Sequence, residues 1–233
     1  MSLIKVPFVL GAAVGFQVSS TPPAAAAVSD EERVKSEAAI SAFFRIASTL
    51  RIVYWLLSVL EVASAISTYV PSSVVPSALS GAFSAIRSMD TPPTGISLLG
   101  AALVGISGIL RVQCYRALGR LFTFHLSIRK DHRLVTDGPY AVVRHPSYSA
   151  MLMCLAGVFL AQWTNGSWLR VSGVLDIPGA LVVLGGWWVI LVSGILGVVA
   201  RAPEEDRMMK STFGEEWDGW SARVKYLLIP FIY

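Results

Sequence analysis

The sequence predicts an all-α protein that crosses a membrane several times, with about five transmembrane helices and a sixth possible. Of its 233 residues, 54% are hydrophobic and 15% are charged, and the mean hydropathy is +0.61, whereas soluble proteins carry about 25% charged residues. This composition excludes a disordered chain, an ordinary soluble enzyme and a nucleic-acid-binding protein. Several charge-free stretches also approach or exceed the roughly 20 residues that a spanning helix needs: Val6–Ser29, Val62–Ile86, Thr91–Leu110, Pro146–Leu169 and Ile177–Ala200.

Turn signals and charges set the bounds of the predicted helices. The first helix has an alternative interpretation as a cleaved signal peptide, because Lys5 precedes a short apolar run that ends near Ala24–Ala27. A six-span arrangement would add a short helix at Ser77–Ile86. We place the five helices at Val6–Ser20, Thr49–Val70, Gly95–Arg111, Ser147–Trp163 and Ile177–Ala200.

The basic residues predict which ends of the helices face the cytoplasm. The segment from Arg111 to Arg144 holds seven basic and two acidic residues, a charge of +5, while the whole chain carries +4. A loop rich in lysine and arginine marks the cytoplasmic side of a membrane protein, and anionic lipid is a sufficient partner for it. Two spans separate this loop from the tail after Ala200, so we expect the loop and the tail to face the same side.

Several residues inside the predicted spans have structural interpretations. Glu61 lies deep in the second helix, so it should face protein or a cavity, whereas Arg51 can extend to the interface. Pro178 suits the first turn of the last span. Six glycines crowd the last two spans, where small residues let helices approach closely: Gly157, Gly179, Gly185, Gly186, Gly194 and Gly197.

The first dense polar motif is Arg144-His145-Pro146-Ser147-Tyr148, at the end of the basic loop. A residue before proline is pushed to extended geometry, and the fourth helix begins directly afterwards. His145 and Tyr148 therefore lie at a helix N-terminus, where free amide groups suit a carboxylate or a phosphate. A lone histidine at an interface is usually only solvated, but Arg144 and Tyr140 accompany this one.

The second motif, Arg201-Ala202-Pro203-Glu204-Glu205-Asp206, follows the last span. Proline suits the first turn of a new helix and the three acids complement its dipole, which is a complete structural account of the acids. Arg201 can pair with lipid phosphate, or its planar guanidinium can clamp a substrate carboxylate. The tail beyond, with Trp217 and Trp220, can lie on the interface as an amphipathic anchor or fold back over the helix ends.

Taken together and in this order, the motifs resemble the isoprenylcysteine carboxyl methyltransferase family over about Leu121–Tyr233, half of the chain. The wider superfamily includes phospholipid N-methyltransferases and sterol reductases. Trp217 and Trp220 stand where tyrosines are usual in the family. The matching segments are Leu134–Ala141, Arg144–Tyr148, Arg201 with Glu204-Glu205, Phe213–Glu216, Arg223-Val224 and Pro230–Ile232.

The resemblance implies a multi-pass enzyme of the endoplasmic reticulum membrane whose active site faces the cytosol. It would transfer a methyl group from S-adenosylmethionine to the C-terminal carboxylate of prenylated cysteine in client proteins. Residues 1–111 would form N-terminal transmembrane helices and residues 112–233 the methyltransferase core. By position, Arg201 is the catalytic and substrate-binding residue, and Arg144, Glu204 and Trp217 are possible additional site residues. The implied cofactor residues are His125, His132, Arg133, Leu134, Val135, Tyr140, His145, Pro146, Ser147, Tyr148 and Glu205.

The expected chemistry needs no activated base. An α-carboxylate has a pKa of about 3.5, so it is already a nucleophile at neutral pH, and the site must supply orientation. The alternative enzyme, a phosphatidylethanolamine-type N-methyltransferase, acts on an amine that must lose a proton, so it should need a nearby carboxylate or histidine more than the arginine clamp of Arg201. A non-enzymatic scaffold is the third hypothesis, against which the intact motifs argue. The three histidines lack metal-ligand spacing, so we expect no metal.

Overall fold

The computed structural model describes residues 2–21, 38–89, 91–122 and 133–232. These residues form α-helices and short 3₁₀ turns, and no strand occurs among them, which confirms the predicted all-α class. The helices are α1 (Lys5–Ser20), α2 (Ala38–Ser67), α3 (Ser80–Ser88), α4 (Gly95–Leu118), α5 (Pro146–Trp163), α6 (Trp168–Val171), α7 (Ala180–Val199), α8 (Ala202–Phe213) and α9 (Glu215–Arg223).

Four helical stretches in the described part of the chain are long and apolar enough to cross a membrane. Helix α1, with 16 residues, is about 24 Å long, somewhat less than the roughly 30 Å of a bilayer core. Helix α3 has nine residues, so at about 14 Å it cannot supply the sixth span considered from the sequence. The four stretches are Ser48–Ser67, Gly95–Leu121, Pro146–Val171 and Ala180–Phe213. The predicted polytopic membrane protein is thereby confirmed.

The helices lie where the sequence predicts them, but several bounds differ. Helix α4 continues seven residues past Arg111, because an arginine favours helix as well as any long side chain. The last span begins at Ala180 instead of Ile177, so the prediction that Pro178 lies in its first turn is wrong. Gly179 precedes this helix with a φ of +85°, a left-handed conformation that glycine adopts without steric cost. The chain turns at this residue before the helix starts.

Helix α4 is the centre of the bundle and packs against α1 on one side and α5 on the other. A Cβ atom placed on Gly108 would lie 2.5 Å from the Cα of Gly15 in α1, and one placed on Gly100 would lie 2.5 Å from a backbone nitrogen in α5. Only glycine permits helix axes to approach this closely. Glycine therefore sets the helix separations at the centre of the bundle.

The predicted glycine packing is confirmed for one position and wrong for four. Gly157 contacts the backbone of α4, as expected. At the other four positions, a Cβ atom would meet nothing within 4 Å, because α7 leaves most of its surface exposed: Gly179, Gly185, Gly186 and Gly197.

A buried ion pair joins the first two helices at the end of the bundle where α1 begins. Lys5 pairs with Glu61 of α2, and each residue is 3% exposed. The Lys5 ammonium also donates to the carbonyl of Gly166 at 2.5 Å and to that of Thr91 at 3.4 Å. Glu61 thus faces protein, as predicted. The guanidinium of Arg51 donates at 2.6 Å to the carbonyl of Ser20, at the C-terminal end of α1.

We expect Gly108→Ala to destabilise the protein and Gly185→Ala to leave it unchanged or more stable. Alanine favours helix over glycine by about 1 kcal/mol, but at Gly108 its methyl group would overlap α1, and overpacking costs about 1–3 kcal/mol. Thermal unfolding in detergent, followed by tryptophan fluorescence, measures the difference. Equal melting temperatures for the two variants would contradict this packing.

Removing one member of the Lys5–Glu61 pair should cost about 3–5 kcal/mol, because the remaining charge is left buried. The double variant Lys5→Met, Glu61→Leu should be more stable than either single variant. The control is Asp218→Asn, which breaks the exposed Lys210–Asp218 pair and should cost less than about 1 kcal/mol. Additive losses in the double variant would argue against a direct pairing.

Candidate active site

The first motif forms a tight corner at the start of α5, as predicted. His145 is the residue before the helix, with φ −124° and ψ 64°, and Pro146 is the first helical residue. Proline excludes helical geometry at the residue that precedes it, so the histidine ring projects from the helix end. A 3₁₀ turn at Gly138–Ala141 leads into this corner.

Helix α8 carries the second motif and begins directly after α7. Arg201 is its N-cap residue, and Glu204 and Glu205 lie in the first turn. The predicted new helix with a proline in its first turn is confirmed. Gly214, with a φ of +53°, then separates α8 from α9. The acidic side chains lie in the first turns of α8, beside the corner, and the chain changes direction only at the other end of this helix.

Two carboxylates of α8 bind the corner. Asp206 accepts from the Arg144 guanidinium at 2.6 Å and lies 2.9 Å from Nε2 of His145. Glu205 lies 3.3 Å from Nδ1 of His145 and accepts from the Tyr148 hydroxyl and, at 3.2 Å, from Arg201. The rings of His145 and Tyr148 stack with centroids 5.4 Å apart. The two motifs therefore form one ionic network.

This network changes the protonation of His145. Burial disfavours the charged imidazole, but hydrogen bonds and charges from Asp206 and Glu205 outweigh it and raise the pKa of His145 to about 9. The histidine is thus a cation at neutral pH. Burial also raises the pKa of the Tyr140 phenol well above its ordinary value, so this hydroxyl stays protonated.

The C-terminal segment covers the corner. The amides of Arg144 and His145 donate to the carbonyls of Tyr226 and Leu227, each at 2.9 Å, and the Ser149 hydroxyl donates to Leu228 at 2.5 Å. The tail therefore folds back over the helix ends, one of the two arrangements considered from the sequence.

Helix α9 fastens the tail to the rest of this end of the bundle. Trp217 and Trp220 are buried in a cluster with Cys114 of α4 and Tyr140. The Trp220 indole donates to the Tyr140 carbonyl at 3.2 Å. The tail is thereby packed against α4 as well as α5.

A cavity of about 150 Å³ lies between the corner, α8 and the end of α4. It gathers most of the residues that the resemblance implied. The corner contributes Tyr140, Arg144, His145, Ser147 and Tyr148. The segment before it contributes Arg133, Leu134 and Val135, and α8 contributes Glu205.

Other implied residues lie elsewhere. Arg201 is 9% exposed and stands behind Glu205, outside the cavity lining. Pro146 is buried in the first turn of α5, and Glu204 is partly buried on α8. Trp217 is buried in α9, with the Lys210 ammonium 5.8 Å from its ring centroid. His125 and His132 lie outside the described residues.

Sequence reasoning missed two polar residues of the cavity, Arg111 and Asp206. Arg111 is 1% exposed, donates to the Ser147 hydroxyl and lies 4.9 Å from the Tyr115 ring centroid. The sequence does not indicate that Arg111 is buried, because the predicted third helix ends at this residue. In the sequence, the helix dipole is a sufficient explanation for Asp206, although its position beside Glu205 and the presence of a basic corner indicate pairing.

The cavity combines two carboxylates, aromatic ring faces and basic side chains at a helix N-terminus. Carboxylates accept hydrogen bonds from hydroxyl and ammonium groups, ring faces attract cations, and the helix N-terminus attracts anions. A small ligand with separate positive and negative groups suits this lining. Within the described residues, no cluster of histidine, cysteine and acidic side chains is arranged to hold a metal.

Comparison with known proteins identifies related sequences. Residues 99–169 match the family model described as the isoprenylcysteine carboxyl methyltransferase family. The chain is 29% identical over 139 residues to protein-S-isoprenylcysteine O-methyltransferase B of Arabidopsis thaliana, covering 59% of this chain and 60% of that protein. It is 27% identical to the probable protein-S-isoprenylcysteine O-methyltransferase of Oryza sativa subsp. indica, covering 59% and 62%.

The chain spans about 60% of the length of the curated relatives it matches. No solved structure matches it significantly. The resemblance to the isoprenylcysteine carboxyl methyltransferase family is confirmed, and residues 99–169, which match its family model, include the Arg144-His145-Pro146 corner.

Proposed function

We propose that this protein is a membrane-embedded methyltransferase that esterifies the C-terminal carboxylate of prenylated cysteine. The observation that carries the proposal is the cavity between the corner and α8, at the end of helices that can cross a membrane. Eight of its lining residues are among those that the family resemblance assigns to the methyl donor. The names of the relatives in Arabidopsis and rice support the same substrate class.

The residues of the cavity fit S-adenosylmethionine as the methyl donor. The carboxylate of Glu205 suits its ammonium or ribose hydroxyls, and the ring faces of Tyr140 and Tyr148 suit its sulfonium, at roughly 1 kcal/mol or more when dry. Arg133, Leu134, Val135 and Ser147 complete the lining. His125 and His132 remain predicted cofactor residues. When bound, this cofactor supplies a methyl group that passes to the carboxylate oxygen as its carbon–sulfur bond breaks, leaving S-adenosylhomocysteine and a methyl ester.

The protonation state of the site favours a carboxylate substrate over an amine. Both ring nitrogens of His145 face carboxylate oxygens, so the histidine donates two protons and has no lone pair with which to accept another. A carboxylate nucleophile needs no base at neutral pH. An amine must lose a proton, which His145 is unable to take. The two carboxylates that could take it are already held in ion pairs with basic side chains. This arrangement and the names of the relatives both disfavour the phospholipid N-methyltransferase.

Arg201 remains our choice for the residue that orients the substrate carboxylate. It lies at the junction of α7 and α8, and Glu205 holds its guanidinium at 3.2 Å beside the cavity. The planar fork of arginine suits a carboxylate. If the hydroxyls of the cofactor bind Glu205, the guanidinium N–H groups of Arg201 that donate to this carboxylate become available to the substrate.

The prenyl chain would reach the site through the lipid. Its methylenes partition into a bilayer at about 0.8 kcal/mol each, and Met151 of α5 and Val198 of α7 give the cavity an apolar wall. Residues 112–233 would then act as the methyltransferase core, and residues 1–111 as the helices that support it. We place the protein in the endoplasmic reticulum membrane with the cavity on the cytosolic side.

Membranes that contain the protein should transfer label from S-adenosylmethionine to N-acetyl farnesylcysteine, giving a base-labile methyl ester. Label in phospholipid instead would favour the N-methyltransferase. If neither product is labelled and the cofactor does not bind, the protein is a scaffold that keeps only the fold.

Arg201→Ala should lower ester formation on the order of 100-fold, because the substrate loses its orientation, while cofactor binding largely survives. The matched control is Arg207→Ala on the exposed side of the same helix, which should keep near-normal activity. A similar loss in both variants would remove the special role of Arg201.

A further inference from the structure

The imidazole of His145 lies between two carboxylates of one helix. Nε2 is 2.9 Å from Oδ1 of Asp206, and Nδ1 is 3.3 Å from Oε2 of Glu205. A neutral imidazole donates through one nitrogen only, whereas an imidazolium donates through both. Geometry alone therefore indicates the protonated ring.

The two carboxylates differ in what else they bind. Glu205 also accepts from Tyr148 and Arg201, so it ties the histidine to α5 and to the end of α7. Asp206 instead joins His145 to its neighbour Arg144, at 2.6 Å. One carboxylate of α8 thus fixes two consecutive side chains of the corner.

Asp206 is also well protected from water. Its side chain is 14% exposed, and that of His145 is 11% exposed. Charge pairs are screened less at such sites than at the surface. The charged and titratable groups that face the imidazole are Glu205 and Asp206 from α8, Arg144 and Tyr148 from the corner and α5, and Arg201 through Glu205.

We propose that Asp206 is a positioning residue of the methyl-transfer site, which locks the Arg144-His145 corner and keeps His145 a fixed cation beside the cofactor cavity. This inference rests on the proposed function for its catalytic part. The pairing of Asp206 with His145 follows from the contacts alone and does not depend on the proposed function.

The proposal predicts that the pairing between His145 and Asp206 stabilises the protein at low pH and is lost at high pH. The pKa of His145 is raised in the folded protein, to about 9 from 6.5. The interaction therefore contributes its full stability below about pH 6.5 and loses it as the pH rises through about 9. Removing the charge of Asp206 should move this loss to lower pH by about one to two units.

The first test uses the ligand-free protein and does not depend on activity. The chain has three histidines, so ¹⁵N-histidine labelling in detergent gives three sets of ring signals, and His145→Gln identifies that of His145. His145 should titrate near pH 9 in the wild type and about one to two pH units lower in Asp206→Asn. Asp206→Glu should restore most of the shift, and Asp218→Asn, on an exposed site of α9, should not change it. Titration near 6.5 in the wild type, or an unchanged midpoint in Asp206→Asn, would overturn the proposal.

The second test measures the role in binding. In Asp206→Asn, the KM for S-adenosylmethionine should rise more at pH 8 than at pH 6.5, with a smaller change in kcat, and Asp206→Glu should recover the wild-type profile. A KM that rises equally at both pH values would reject the positioning role. A protein that titrates as predicted but methylates no prenylcysteine would reject the proposed function and leave the link between Asp206 and His145 intact.

Discussion

The carboxylates of Glu205 and Asp206 hold α8 against the corner at the start of α5, and the shape of the cavity depends on this contact. Pro146 keeps the residue before it out of helical geometry, which forms the corner. Helix α8 follows α7 almost directly, and this connection sets its position. The hydrophobic cluster around Ala202, against which Tyr148 of α5 packs, also joins these helix ends. The charge-assisted hydrogen bonds between α8 and the corner are partly buried and directional. The C-terminal segment packs over this contact.

The fold class and helix order follow from composition and apolar run length, because lipid requires that the backbone of each span bond within itself. The helix ends could not be predicted as well. Arg111 carries charge but favours helix, so α4 passes through it, whereas Gly179 moves the start of α7. Glycines in α4 and α7 look alike in sequence, and only the three-dimensional arrangement shows that Gly108 contacts a neighbouring helix while Gly185 contacts none.

Much of the candidate site could be predicted because its residues are local in sequence: the corner motif and the acids of α8 each occupy a few positions. What sequence could not give is pairing across about 60 residues, which joins Asp206 to Arg144 and His145. Consecutive acids after a proline also have an adequate local explanation in the helix dipole. Arg201 illustrates the converse, since its assignment by position stays a prediction and its side chain lies behind Glu205 instead of in the cavity lining.

The backbone bonds from Arg144 and His145 to Tyr226 and Leu227 have a consequence for biogenesis. Among the described elements, the segment that accepts these bonds is the last to leave the ribosome. The membrane helices can therefore insert before the C-terminal segment covers the corner, which happens only after translation has passed Leu228. A nascent chain would therefore occupy the bilayer before this end of the bundle is covered.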